Sequence, residues 1–95
     1  MARRRYLVAY DVREDRRLRS IATCVEGYGE RIQYSEFICD LSEEEVVAMR
    51  GDIEVRMKQS EDSVMIIDLG RAGDSSRFLF LGHHEKLPIS SAVIV

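Results

Sequence analysis

Little in this 95-residue chain could break, staple or anchor it. There is one proline and there are six glycines, too few for a linker or a low-complexity tract, and no internal repeat is visible. The two cysteines, Cys24 and Cys39, stand in neither a metal-ligand spacing nor a close pair. They read as reduced packing thiols. No apolar run approaches the roughly 20 residues that a bilayer crossing requires. The basic start MARRR followed by YLVAY imitates a signal peptide. Asp11, however, cuts that run short of the about 7–15 apolar residues of a secretory core. The expectation is a cytoplasmic chain with no membrane contact.

What is present is one domain's worth of chain, 45% hydrophobic and 33% charged, which excludes both a disordered segment and a membrane protein. A domain this small buries only about 60–65% of its unfolded surface. Oligomerisation is therefore expected before any motif is considered.

The net charge of −3 hides an asymmetry. Residues 1–31 carry eight arginines against five acids, for +3, and residues 36–68 carry ten acids against Arg50, Arg56 and Lys58, for −7. Arginine outnumbers lysine twelve to two, and its planar fork suits phosphates and carboxylates alike. Either a basic N-terminal face meets a polyanion, or the arginines neutralise the acidic second half within the fold. Charge alone does not choose between these.

The hydropathy pattern lays out the elements. RYLVAYDV, residues 5–12, has no polar alternation and predicts a central strand covered on both faces. Residues 15–28 predict a helix with Leu18, Ile21, Val25 and Tyr28 on one stripe. Glu14 and Asp15 sit where orphan amides favour a carboxylate, and Gly27 and Gly29 are expected to end the helix in a left-handed conformation. RIQYSEFICDL, residues 31–41, predicts two short strands around a turn at Tyr34–Ser35. Ser42-x-x-Glu45 is a capping box, with Leu41 and Val46 as a hydrophobic staple, and it opens a helix that buries Val46, Met49, Ile53 and Met57. Gly51 lies inside that helix at a cost of about 1 kcal/mol relative to alanine. Residues 62–69 and 78–81 predict two more strands, ended by Gly70 and Gly82. The apolar tail after Pro88 is expected to pack somewhere.

The order is β-α-β-β-α-β with one or two extra C-terminal strands. That is the α+β, ferredoxin-like arrangement with an antiparallel sheet and both helices on one face. Residues 1–82 form the domain, and residues 83–95 a tail that is strand-swapped or docks a partner. The second sheet face would be bare in a monomer. Ile66, Phe78, Phe80 and the AVIV tail are expected to supply it with apolar material, to be covered in a homodimer.

The fold alone does not fix a function. No glycine loop cradles a phosphate, no spacing supports a Ser/His/Asp triad, and His83-His84 lacks an acidic ligand pattern. Asp11 stands out. A carboxylate directly after a buried strand must be solvated, paired or bound to a cation, and taken alone a strand-ending turn or helix cap is the plainer account of it. Mg²⁺ commonly uses only one or two protein carboxylates, so two copies of Asp11 facing each other across a two-fold axis could hold one ion.

YLVAYDV, the arginine-rich DRRLR, YGERIQYSEFICDLS, DSVMIIDLG and the late Leu81-Gly82, in that order and spacing, resemble one family from about Tyr6 to Gly82. It is the second CRISPR-associated (Cas) protein family, the small dimeric partner of the Cas integrase in spacer acquisition. The resemblance implies a homodimer that bridges two integrase dimers in a heterohexameric complex and lies along double-stranded protospacer DNA. It also implies Asp11 as the catalytic residue and Mg²⁺ ligand of each protomer, with endonuclease activity on single-stranded RNA or double-stranded DNA in some members and a scaffold role without catalysis in others. Arg16, Arg17, Arg19 and Arg31 match phosphate contacts, and Tyr10, Ser35 and Phe37 match the family's motif positions. Glu36 departs from it, standing where an apolar residue is more common. By the same analogy, LPISSAVIV is a docking segment for the integrase.

Two readings of another kind stand beside this one. One is a stand-alone, toxin-like metal-dependent endoribonuclease of the same fold, and the other a small-molecule-sensing dimer. A single-strand RNA reader that stacks bases on the central strands is disfavoured, because the sheet looks apolar enough to be buried.

Overall fold

The apolar run after the arginines forms β1 (Arg4–Asp11), followed by α1 (Asp15–Glu26), β2 (Glu30–Gln33), β3 (Glu36–Leu41), α2 (Glu43–Glu54) and β4 (Ser63–Arg71). The protein is described from a computed structural model, in which residues 2–73 and 79–82 and the backbone of 93–94 are defined. The four strands make one antiparallel sheet in the order β2-β3-β1-β4, the ferredoxin-like α+β arrangement. β1 is central, as its composition predicts. Two further short strands, β5 (Leu79–Phe80) and β6 (Val93–Ile94), pair in parallel as a separate two-stranded sheet. Phe78, His83-His84 and most of the apolar tail lie outside the described residues.

One sheet face packs on the helices. Val8 and Tyr10 of β1 and Phe37, Cys39 and Leu41 of β3 meet Ile21, Ala22 and Val25 of α1 and Met49 and Ile53 of α2. The helix positions come from the sequence stripes, with Leu18, Tyr28, Val46 and Met57 packed at the margin. Cross-strand neighbours share a face, and Ile66 is the partner of Val8. Ile66 therefore joins the helix-side core and not the opposite face, where the sequence reading placed it; Met65 and Ile67 take that role by alternation.

β1 is also less covered than expected. On the second face, Leu7 and Ala9 are only half-buried, while Arg5 is buried. Arg5 donates from Nε and Nη2 to the two carboxylate oxygens of its register partner Asp40, at 2.7 and 2.8 Å. A β-bulge lies where β4 passes this residue, since Arg5 pairs with Gly70 and Tyr6 with Asp68.

Both helix starts follow their sequences. The Glu14 carboxylate accepts from the Arg16 and Arg17 amides at 3.0 and 2.9 Å, and the Ser42/Glu45 capping box is complete, at 3.2 and 2.9 Å. The end of α1 differs from expectation. Gly27 is right-handed (φ −70°, ψ −13°) and donates back to the Cys24 carbonyl, while the Tyr28 and Gly29 amides donate to that of Val25, and Gly29 does not have positive φ. Gly29 is needed for closeness instead: a Cβ there would run into the Ile38 carbonyl and the Cys39 side chain.

Candidate functional site

Strand register brings the chemistry-bearing residues to one end of the sheet. β1 runs out at Asp11, opposite Ser63 at the start of β4. The β2–β3 turn reaches the same end, where the Tyr10 amide donates to the Ser35 carbonyl at 3.1 Å. The chain then passes through Arg13 into the first turn of α1, which carries Arg16 and Arg17.

Asp11 lies at the rim, its side chain 69% exposed, with an ion pair at 3.6 Å to Arg13 Nη2. No three His, Cys, Asp or Glu residues form a metal-binding group among the described residues. Asp11 is exposed at the rim, so one protomer offers a divalent ion a single carboxylate. That suits Mg²⁺ completed by water and substrate oxygens and does not suit an all-protein cage.

The other carboxylate nearby, Asp62, is occupied. Its side chain is buried. Oδ1 accepts from the Arg13 amide at 3.1 Å and from Arg17 Nη2 at 3.2 Å, and Oδ2 accepts from Arg17 Nε and the Lys58 amide, both at 2.8 Å. The Arg17 guanidinium, with the two amides, holds this carboxyl well below the usual carboxylate range. Asp62 thus ties the segment after β1, the first turn of α1 and the segment after α2 into one support beneath Asp11. Sequence reasoning missed this role. An acid before a strand is an ordinary turn signal, and its partners are remote in sequence.

The four arginines diverge. Arg17 is a support residue, spending its fork on Asp62 and on Glu61 (2.9 Å). Arg16 and Arg19 are exposed on α1 and make no ion pair among the described residues. Arg31, on β2, is paired in register with Phe37 and places its guanidinium carbon 5.1 Å from that ring and 6.0 Å from the ring of Tyr34. Its carboxylate partner is Glu26, at 3.7 Å.

The three motif residues meet. Tyr10 bonds Ser35 through the backbone and stacks on Phe37, with 6.2 Å between centroids. The Tyr10 hydroxyl is buried near Arg31 but outside hydrogen-bond geometry. Burial pushes the phenol's pKa up, and Arg31 partly offsets this.

The charge asymmetry of the sequence is resolved in the same way. Arg3 pairs with Glu45, Arg4 with Asp68 and Arg5 with Asp40, so much of the basic N-terminus neutralises the acidic second half. Arg16 and Arg19 remain as the cationic surface of α1. Glu36, the departure from the family pattern, faces away from the core at the start of β3, between buried Phe37 and the turn.

Comparison with known proteins shows what the chain resembles. Residues 4–77 match the family model described as CRISPR associated protein Cas2. A protein of Synechocystis sp. called CRISPR-associated endoribonuclease Cas2 3 is 38% identical over 67% of this chain and 70% of its own length. One from Thermodesulfovibrio yellowstonii, called CRISPR-associated endoribonuclease Cas2 2, is 33% identical over 87% of this chain and 88% of its own. The crystal structure of Streptococcus pyogenes Cas2 at pH 6.5 superposes with a TM-score of 0.65 at 31% identity, covering 70% of this chain and 86% of the other. With the family match spanning most of the strands and both helices, and the relatives following it over two thirds or more of the chain, this protein belongs to the CRISPR-associated protein Cas2 family.

Proposed function

We propose that the chain is a spacer-acquisition subunit: a cytoplasmic homodimer that bridges integrase dimers and positions protospacer DNA, with metal-dependent phosphodiester cleavage available at Asp11. The observation that carries this reading is the gathering of an exposed carboxylate, exposed arginines and the motif residues Tyr10, Ser35 and Phe37 at one end of a rigid sheet. Phosphate contacts position a duplex without reading its sequence, and Arg16 and Arg19 are placed for them. Arg31 adds a partly exposed cation at the same end. Arg17 contributes by holding the first turn of α1 in place.

The half-buried second sheet face, with Leu7, Ala9 and Ile67 and the exposed Met65, is the surface for a second copy. The segment around β6 is the docking candidate for the integrase. Mg²⁺ held by Asp11 would polarise a phosphoryl oxygen and supply an activated water. The chain's own part is to present that carboxylate outward, with Asp62 and Arg17 fixing the backbone on either side.

A second reading keeps the same site but dispenses with the integrase: a stand-alone endoribonuclease. The activity in the names of the Synechocystis and Thermodesulfovibrio relatives favours it. Reconstitution separates the two. Light scattering is expected to give about twice 10.9 kDa. Integration of a protospacer into a repeat-bearing plasmid by the integrase is expected to require this chain. RNA cleavage by the isolated dimer with no effect on integration would favour the second reading.

A further inference from the structure

Among the described residues Tyr34 is the one exposed aromatic, at 73% accessibility, while Tyr10 and Phe37 are buried. It occupies the β2–β3 turn, between Gln33 and Glu36. The turn is not loose, because the next residue, Ser35, accepts the Tyr10 amide of the central strand at 3.1 Å. The Tyr34 ring lies 6.0 Å from the Arg31 guanidinium carbon. Arg31 is itself restrained, by Phe37 at 5.1 Å and Glu26 at 3.7 Å. An aromatic ring with a neighbouring arginine, held on a pinned turn and open to solvent, is the combination on which unpaired bases stack. The register places this turn at the same sheet end as Asp11.

We propose that Tyr34 is a stacking station for an unpaired nucleobase, with Arg31 facing the adjoining phosphate, and that it directs single-stranded segments, not duplex, towards the end of β1. This rests on the nucleic-acid reading above and adds to it a preference for strand state. The base recognised is defined by its π-face, so the station is tolerant of sequence and serves RNA or DNA alike. Acids also face this end. Glu26 tempers Arg31, and Asp11 and Glu36 stand nearby along the strands, so affinity at the station comes from stacking more than from net charge.

The test compares wild type, Tyr34→Ala and Tyr34→Phe on three probes: a single-stranded RNA and a single-stranded DNA oligonucleotide, each with an internal 2-aminopurine, and a blunt DNA duplex. Because the side chain is exposed, circular dichroism should show both variants folded. For Tyr34→Ala, affinity for the single strands is expected to fall about 5- to 150-fold, the span of one lost base stack. Contact quenching of 2-aminopurine should be lost, while duplex affinity stays within about twofold, since phosphate contacts carry it. Tyr34→Phe should keep both the affinity and the quenching. A loss with RNA alone or DNA alone overturns a station defined by the base's π-face, which both strands present. Unchanged single-strand binding by Tyr34→Ala, or equal losses on single strand and duplex, overturns the station while leaving nucleic-acid binding intact. A wild-type dimer that binds none of the three probes overturns both.

Discussion

Replacing Gly51 by alanine should make this protein more stable, and the size of the gain follows from where the residue sits. Gly51 lies inside α2 (Glu43–Glu54) and is exposed. A Cβ built on it meets nothing within 4 Å. The substitution therefore adds no clash and removes no contact. It acts through the backbone freedom that glycine loses on folding and the unfolded chain retains. Helix propensity sets the gain at about 1 kcal/mol, and for a domain of 60–100 residues that corresponds to a rise in Tm of roughly 4–8 °C. Thermal unfolding should be followed by circular dichroism at one fixed protein concentration, because the proposed dimerisation would make Tm concentration-dependent. Gly29→Ala is the control of opposite sign. Its Cβ would be driven into the Ile38 carbonyl oxygen and Cys39 Sγ, and β3 would have to move away from the end of α1. If Gly51→Ala fails to raise Tm, or Gly29→Ala is neutral, the packing of α2 and the approach of Gly29 to β3 have been misread.

Three other outcomes follow from the charges. The folded-state pKa of Asp62 is depressed by Arg17 and the two amides, so its contribution is fully present above the unfolded value of about 3.9 and is lost as pH falls through the folded one. The Tm gap between wild type and Asp62→Asn should therefore be constant from pH 7 to about 5 and shrink steadily below about pH 4; a gap independent of pH down to 2 would contradict the buried ion pair. Arg16→Ala with Arg19→Ala should weaken duplex binding for all sequences alike and lower the slope of log K against log salt by up to about 0.9 per lost phosphate contact. Arg17→Ala should instead lower Tm, because it strips the buried Asp62 carboxylate of its cation.

The elements were legible because their signals are local. The capping box at Ser42, the stripe Ile21–Val25, the alternation Phe37–Cys39–Leu41 and the unbroken run of β1 each state a structure within a dozen residues. What could not be read depends on residues far apart. Ile66 follows Val8 to the helix face through a register that only the folded pairing fixes. Asp62 is joined to residues 45 and 49 positions away, so nothing beside it announces a support. Gly29 looks like a helix stop, yet its reason is the approach of β3. The candidate site divides the same way. Asp11 was visible as a carboxylate ending an apolar strand. That Arg17 would be spent inside the protein, leaving Arg16 and Arg19 outside, depends on which acids the second half of the chain brings to α1.

The most direct test of the site is Asp11→Asn, assayed on one preparation for cleavage of RNA and duplex DNA with Mg²⁺ and for protospacer integration with the integrase. The substitution removes a charge and nearly keeps the shape at a side chain 69% exposed, so fold and dimer should persist. The dimer should even strengthen slightly in the absence of metal if two such carboxylates face each other. Metal-dependent cleavage should disappear, while integration continues, because the proposed positioning draws on the arginines of α1. Cleavage that survives in the folded, dimeric variant would remove Asp11 from the chemistry, and integration that fails with it would contradict the separation of scaffold from metal site.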